Sequence, residues 1–306
     1  MSKRDGQAAL DGILLIDKAT GWTSHDVVAK ARGITRQRRI GHTGTLDPAA
    51  TGLLVLCLGK ATRLVEYMSE QDKTYEGEIA LGARTDTDDA DGQVIGECQP
   101  VPAIEEQQLR EIEAQFTGTV EQVPPAYSAV KVNGQRAYSI ARKGGELELE
   151  PRPVTIHELS LEQTGDGRLG IRVACGSGTY VRSLARDIGE ALGCGAHLSW
   201  LRRVQTGGFL LDEAVSIDEL DELGKAGTLG DALRAPDEGV MDLDAVVVAN
   251  ERGSFLSQGR AIQVRTEPWF PAEHARVYRI DGKFTGIGEV TDDGRVRPVK
   301  VLAPEG

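Results

Sequence analysis

The stretch GHTGTLDPAATGLLVLCLGKATR, residues 41–63, decides how this chain is read. Its first half holds one acidic side chain, Asp47, among glycines and threonines, with His42 close by. Its second half opens on the apolar run 53–58, LLVLCL, which reads as a buried strand followed by a short helix. Asp followed by Pro predicts a helix N-cap with proline at the first helical position. A helix N-terminus also stabilises an anion, so a capping carboxylate can carry chemistry as well. Two roles for Asp47 therefore stand together at this point.

Around this stretch, 306 residues that are 40% hydrophobic give room for one large or two ordinary domains with real cores. No apolar run reaches the roughly 18 residues of a membrane span, and MSKRDGQAAL at the start has no apolar signal core. The expectation is a cytoplasmic protein. Cys57, Cys98, Cys175 and Cys194 are at least 19 residues apart, so no zinc spacing exists and the cysteines read as core filler. No metal is expected.

The net charge of −12 argues against a nucleic-acid partner until its distribution is examined. Residues 212–244 carry eleven acids against Lys225 and Arg234, which is nine of those twelve charges. Residues 27–40, by contrast, carry Lys30, Arg32, Arg36, Arg38 and Arg39 with no acid, and 126–145 carry Lys131, Arg136, Arg142 and Lys143, again with none. Two acid-free basic runs flanking the Asp47 turn and an aromatic loop suit phosphate contact.

Along the chain, GILLIDKATGWTSHDVV (12–28) reads as strand, turn and a helix capped by Ser24. Residues 73–85 alternate as an antiparallel strand with Tyr75, Gly77, Ile79 and Leu81 on one face. A polar turn and a helix over 103–117 follow. A basic, proline-bracketed insertion at about 122–152 suggests a functional flap. Strands at 153–163 and 168–175 precede an amphipathic helix that turns Val181, Leu184, Ile188 and Leu192 to a core. An acidic connector spans about 212–244, and from 245 the pattern is all-β, with hairpin turns at Asp281-Gly282 and Asp293-Gly294.

Several chemistries are excluded by single residues. The acidic turn that starts at Asp86 has Ala90 and Asp91 where a calcium loop needs an oxygen ligand and a glycine. LGKAT (58–62) has Ala61 where a phosphate loop needs a hydroxyl. HTGTL has Gly41 where an aspartyl-phosphate motif needs its nucleophile. Glycoside hydrolysis needs a second positioned carboxylic acid, and this motif supplies one carboxylate.

Residues 41–63 resemble the motif around the catalytic aspartate of pseudouridine synthases, in the branch acting on the TΨC loop of tRNA. GILLIDKATGWTSHDVV (12–28), LGARTDTDDADG (81–92), PPAYSAVKVNGQRAY (124–138), GTYVRSLARDIG (178–189) and LRRVQTGGF (201–209) match in the family's order. Ala19 replaces a usual proline, and Gly176-Ser177 a more typical Ser-Lys or Ser-Ser. The resemblance implies an α+β fold with a mixed, largely antiparallel central sheet. It implies a catalytic domain over 1–244 and a small PUA-like RNA-binding β domain over 245–306.

It also implies an enzyme that flips uridine 55 of tRNA into a pocket, breaks N1–C1′, turns the base and joins C5 to C1′, without a cofactor. Asp47 would be the nucleophile or would take the 2′-proton. Tyr75 would stack on the base, and its hydroxyl is a candidate for removing the C5 proton. Arg182 would pair with Asp47 and aim it. Tyr180 and Leu201 would wall the pocket, His42 would contact the space left by extruded nucleotides, and Lys18 would support the site. The partner is the T-arm of tRNA, with no membrane, no obligatory protein partner and a monomeric enzyme. The rival readings are a guide-RNA-dependent synthase of ribonucleoproteins and a tRNA-binding folding aid.

Overall fold

In the computed structural model, which describes residues 10–128, 130–132, 135–136, 140, 149–264 and 273–302, the chain begins with β1 (Gly12–Lys18), α1 (Ser24–Thr35), β2 (Ile40–His42) and β3 (Thr51–Leu58). β1 and β3 pair antiparallel, from Gly12 opposite Leu58 to Lys18 opposite Gly52. Their apolar runs are continuous because both faces are covered. Leu14, Ile16, Leu54 and Leu56 pack with Val27, Val28 and Ala31 of α1, while Ile13, Leu15, Leu53 and Val55 join Leu64 and Met68 on the other face.

A 3-10 turn (Gly59–Leu64) and α2 (Val65–Ser69) lead into β4 (Lys73–Leu81). The acidic turn forms a small hairpin, β5 (Arg84–Thr85) against β6 (Val94–Ile95). Then come α3 (Glu106–Phe116), β7 (Gly118–Gln122), and the pair β8 (Lys131–Val132) and β9 (Gln135–Arg136). β10 (Arg152–Gly165), β11 (Arg168–Cys175), α4 (Val181–Ala191) and β12 (Ala196–Thr206) complete the centre. β13 (Phe209–Leu210), α5 (Ile217–Ala226) and β14 (Leu233–Arg234) close it.

The main sheet has ten strands in the order β14-β1-β3-β12-β4-β11-β10-β7, with β13 on β12 and β2 on β3. Its one parallel pairing joins β3 to β12, Gly52 opposite Arg203; all its other pairings are antiparallel. The architecture is thus α+β with a mixed, largely antiparallel sheet. Gly52 has φ +95°, and a Cβ there would come within 2.3 Å of the Arg203 carbonyl. Glycine is what lets β3 approach β12 this closely. α4 buries Val181, Leu184 and Ile188 against Ile79, Leu169, Ile171 and Val173 of the sheet.

A second sheet of five strands, β15 (Asp244–Val248), β16 (Ile262–Gln263), β17 (His274–Arg279), β18 (Phe284–Val290) and β19 (Arg295–Val301), runs in the order β15-β17-β18-β19-β16. Both expected hairpin turns lie in it. It rests on the segment around α2: Ile287 and Leu302 share a core with Leu64 and Met68, and Lys300 pairs with Glu66 at 2.8 Å.

The structure corrects four local expectations. No helix starts at Pro48: β3 begins at Thr51, too soon for one, and Asp47 instead accepts from Ala50 N–H at 3.1 Å in a tight turn. Thr23, not Ser24, caps α1, through a capping box with Asp26. The acidic segment 212–244 is not a bare connector, because Leu220 of α5 is buried in the core under α1 and β14 pairs with β1. The tail is not all-β, since α6 (Asn250–Ser257) buries Leu256 beneath its sheet. Much of the expected flap at about 122–152, with Arg142 and Lys143 of the second basic run, lies outside the described residues.

Candidate active site

The turn carrying Asp47 is gripped from two sides by main-chain bonds. From the β1–α1 side, Lys18 Nζ donates to the carbonyls of Ala19 (3.0 Å), Trp22 (2.8 Å) and Pro48 (3.3 Å). Gly21 N–H also reaches Pro48 O at 2.9 Å, and Ser24 Oγ exchanges bonds with both N–H and C=O of Leu46. From β12, Arg203 Nη2 donates to Gly44 O at 3.1 Å and its Nε to Leu53 O at 2.7 Å. Lys18, expected to support the site, is completely buried and ties strand end to turn. Burial pulls its pKa down, and the Asp47 charge pushes it back up.

Asp47 meets Arg182, whose Nε lies 3.0 Å from Asp47 Oδ2. The guanidinium is 7% exposed and the carboxylate 45%, so the acid faces outward on a buried arm. Arg182 comes from the first turn of α4. Its Nη1 donates to Thr87 O (2.9 Å) and lies 3.5 Å from Asp89 Oδ2, and its Nη2 donates to Tyr127 O (3.0 Å). A planar fork with its donors fixed this way cannot swing, which sets the direction of the carboxylate. Arg182 is thus no surface residue, and its neighbour one turn on, the partly buried Arg186, bonds instead to Asp88 and Asp187.

Tyr75 sits on β4 directly opposite Arg203 of β12, packed into the seam between the two main cores together with Leu201. Burial pushes the phenol pKa up, while the Arg203 guanidinium opposes that rise. The ring lines a cleft of about 390 Å³, with His42, Tyr180, Lys73 and Arg203 among its other walls. Tyr180 is set by a two-way bond between its main chain and the Gln122 amide (2.8 and 3.1 Å). His42 packs edge-on against His25, its buried Nδ1 without a partner among the described residues. Burial, then His25 and Arg203, hold its pKa down.

Of the expected residues, Tyr75, His42 and Tyr180 line the cleft, Asp47 and Arg182 pair with each other, Leu201 packs in the same two cores as Tyr75, and Lys18 holds the Asp47 turn. Asp47, Arg182, Leu201 and Lys18 are not among the residues lining the cleft. Sequence reasoning missed Arg203, Lys73 and Asp89. Arg203 was hidden by a β-bulge. Strict alternation from the buried Leu198 would send Trp200 and Arg202 inward, but the register slips between Leu198 and Trp200 and turns Leu201 and Arg203 in instead. Arg202 faces out, paired with Asp17. Lys73 was legible as an inward position two residues before Tyr75. Burial pushes the Cys57 thiol up to about 12 and the Cys175 thiol up to about 11, whereas Cys98 is exposed rather than core.

Three family models match in succession. They are TruB family pseudouridylate synthase (N terminal domain) over residues 32–181, tRNA pseudouridylate synthase B C-terminal domain over 182–248, and Pseudouridine synthase II TruB, C-terminal, over 245–302. The tRNA pseudouridine synthase B of Nitrosococcus oceani is 40% identical over 296 residues, 96% of this chain and 95% of that protein. Its counterpart in Xanthomonas campestris pv. campestris is 42% identical over 299 residues, 96% and 94%. Among solved structures, a chain of a Cbf5-Nop10-Gar1 complex superposes with a TM-score of 0.74 at 24% identity, covering 96% of this chain and 85% of that one. Such a distant likeness speaks for the fold alone. With relatives at this identity over nearly their whole length, the chain belongs to the TruB family of pseudouridylate synthases.

Proposed function

We propose that this protein isomerises uridine 55 in the T-arm of tRNA to pseudouridine, as a cytoplasmic monomer that needs no cofactor. The observation that carries the reading is the Asp47 carboxylate, held 3.0 Å from a buried arginine beside a tyrosine-lined cleft. The cleft falls in the range of small-ligand sites, about 300–1,000 Å³, and a flipped base needs such a pocket. Asp47 is the reacting carboxylate, Arg182 aims it, Tyr75 stacks on the base, and Tyr180 and Leu201 wall the pocket. His42 meets the neighbouring nucleotides, and Lys18 acts through the turn it holds. Residues 1–244 form the catalytic part and 245–306 an RNA-binding part.

The reaction conserves atoms and oxidation state, so a carboxylate, a flat platform and a dry pocket suffice. Burial pushes the Tyr75 phenol pKa further up, which disfavours the phenolate. Incubation with unmodified tRNA, followed by chemical adduct formation and primer extension, should give one new stop at uridine 55. A stop elsewhere, or none, would refute the assignment. No helix among the described residues is long and apolar enough to cross a membrane.

A further inference from the structure

Lys73 and Arg203 bring buried positive charge to the wall of the cleft. Both are buried, 7% and 1% exposed. Among the described residues neither has a carboxylate within ion-pair distance. Burying cations without counterions is expensive, and such groups normally find a partner. Here backbone carbonyls take only part of their capacity. Lys73 Nζ donates to Ser69 O and Gln71 O, which leaves one of its three N–H groups, and Arg203 spends two of five on Leu53 O and Gly44 O. Both lie under the turn that carries Asp47: a Cβ at Gly44 would stand 3.4 Å from Arg203 Nη1 and 3.8 Å from Lys73 Cε. Tyr75 lines the same cleft.

We propose that Lys73 and Arg203 are catalytic residues that stabilise the uracil ring as an anion while it is detached from its ribose, an inference that rests on the isomerisation proposed above. When N1–C1′ breaks, the electron pair leaves with N1, and the base carries one negative charge spread over N1, O2 and O4. Asp47 meanwhile bonds to C1′ or takes the 2′-proton. When C5 joins C1′ the anion's electron pair makes the new bond and the Asp47–C1′ bond breaks, or, on the other route, Asp47 returns the proton to C2′. C5 gives up its proton to a base and N1 takes one up, so the neutral isomer results and Asp47 is restored. A fixed cation beside the turning ring favours every anionic stage and costs no reorganisation. Burial and the adjacent guanidinium both pull the Lys73 pKa down, a strain that an anion in the cleft relieves.

A phosphate is the other anion that tRNA could place here, but a grip on phosphate acts equally on bound substrate and transition state. The two are separated by measuring single-turnover rate and tRNA affinity for wild type, Lys73→Met, Lys73→Arg and Arg203→Met. The expected result is a fall of about 10²–10³-fold in rate for each Met variant, with Kd within about threefold and much of the rate restored in Lys73→Arg. Lys73→Met leaves the Arg203 bonds to the Asp47 turn intact, so it reports on charge even if Arg203→Met folds poorly. An unchanged Lys73→Met rate overturns the inference, as does a loss confined to Kd, which would mark a phosphate grip. A wild-type protein that makes no pseudouridine overturns the isomerisation reading and this inference with it.

Discussion

The basic run at 27–40 and the floor of the Asp47 cleft are both rich in cations, and they treat the charge in opposite ways. Arg36, Arg38 and Arg39 stand exposed, with Arg39 bonded to the Thr62 hydroxyl. Lys73 and Arg203 in the cleft wall, and Lys18 and Arg182 at the Asp47 turn, are buried, and every one of them donates to main-chain carbonyls. A carbonyl satisfies a donor without cancelling its charge. The cleft cations therefore organise loops and still project a field inward, whereas the surface cations can only attract at a distance. Net charge describes neither region. The −12 of the chain comes mostly from 212–244, which packs elsewhere against β1 and α1.

Asp47→Ala is the sharpest cut through this comparison. Product formation should fall by more than about 10³-fold, while tRNA affinity stays within a few-fold, because phosphates and the rest of the loop carry binding. No helix cap is lost, but the buried Arg182 keeps only Asp89 as an acidic partner among the described residues, so circular dichroism must first show that the variant is folded. Measurable turnover in the folded variant would remove Asp47 from the chemistry.

Tyr75 separates a ring from its hydroxyl. Tyr75→Phe keeps the stacking face and should bind tRNA like wild type, yet lose about 10²–10⁴-fold in single-turnover rate, the range of one proton-transfer group. Tyr75→Leu should also lose about 1–3 kcal/mol of affinity in filter binding. If Tyr75→Phe matches wild type, the tyrosine is only a platform.

Arg182→Met tests whether buried cations hold the cleft together. It strands Asp89 and the carbonyls of Thr87 and Tyr127, and should cost about 3–5 kcal/mol in denaturant unfolding. Arg182→Lys should recover only part of this, because one ammonium cannot span the same partners. A variant that unfolds like wild type would show the cleft to be held by its strands alone.

The surface run should behave otherwise. Changing Arg36, Arg38 and Arg39 together to Ala should leave unfolding unchanged and flatten the log Kd against log salt slope by up to about 2–3, at roughly 0.7–0.9 per phosphate contact. An unchanged slope would make the run a solvated face. The smallest effect concerns His42. Its folded pKa lies below the unfolded value, so the unfolded chain binds the proton more readily, and the stability of the neutral ring is lost as pH falls through about 6.5. His42→Gln should shallow the decline in melting temperature between pH 7 and 5.5, and a parallel decline would place the sensitivity elsewhere.

Much of this protein was legible as a string. Continuous apolar runs marked β1 and β3, alternation marked β4, and the 3.6-residue spacing of Val181, Leu184, Ile188 and Leu192 marked α4. Such patterns are local, set by which side of an element meets water. Asp47, Tyr75 and Arg182 stood out by motif. Tertiary structure alone decided the rest. Only pairing across the sheet puts Arg203 opposite Tyr75, and only a bulge in β12 turns Arg203 inward while its neighbour Arg202 faces Asp17. Only the arrival of β3 at Thr51 replaces the helix that Asp47-Pro48 would otherwise start. Periodicity carries no information about register slips or about which distant carbonyl will satisfy a buried cation, because both are settled by the strand that happens to lie alongside.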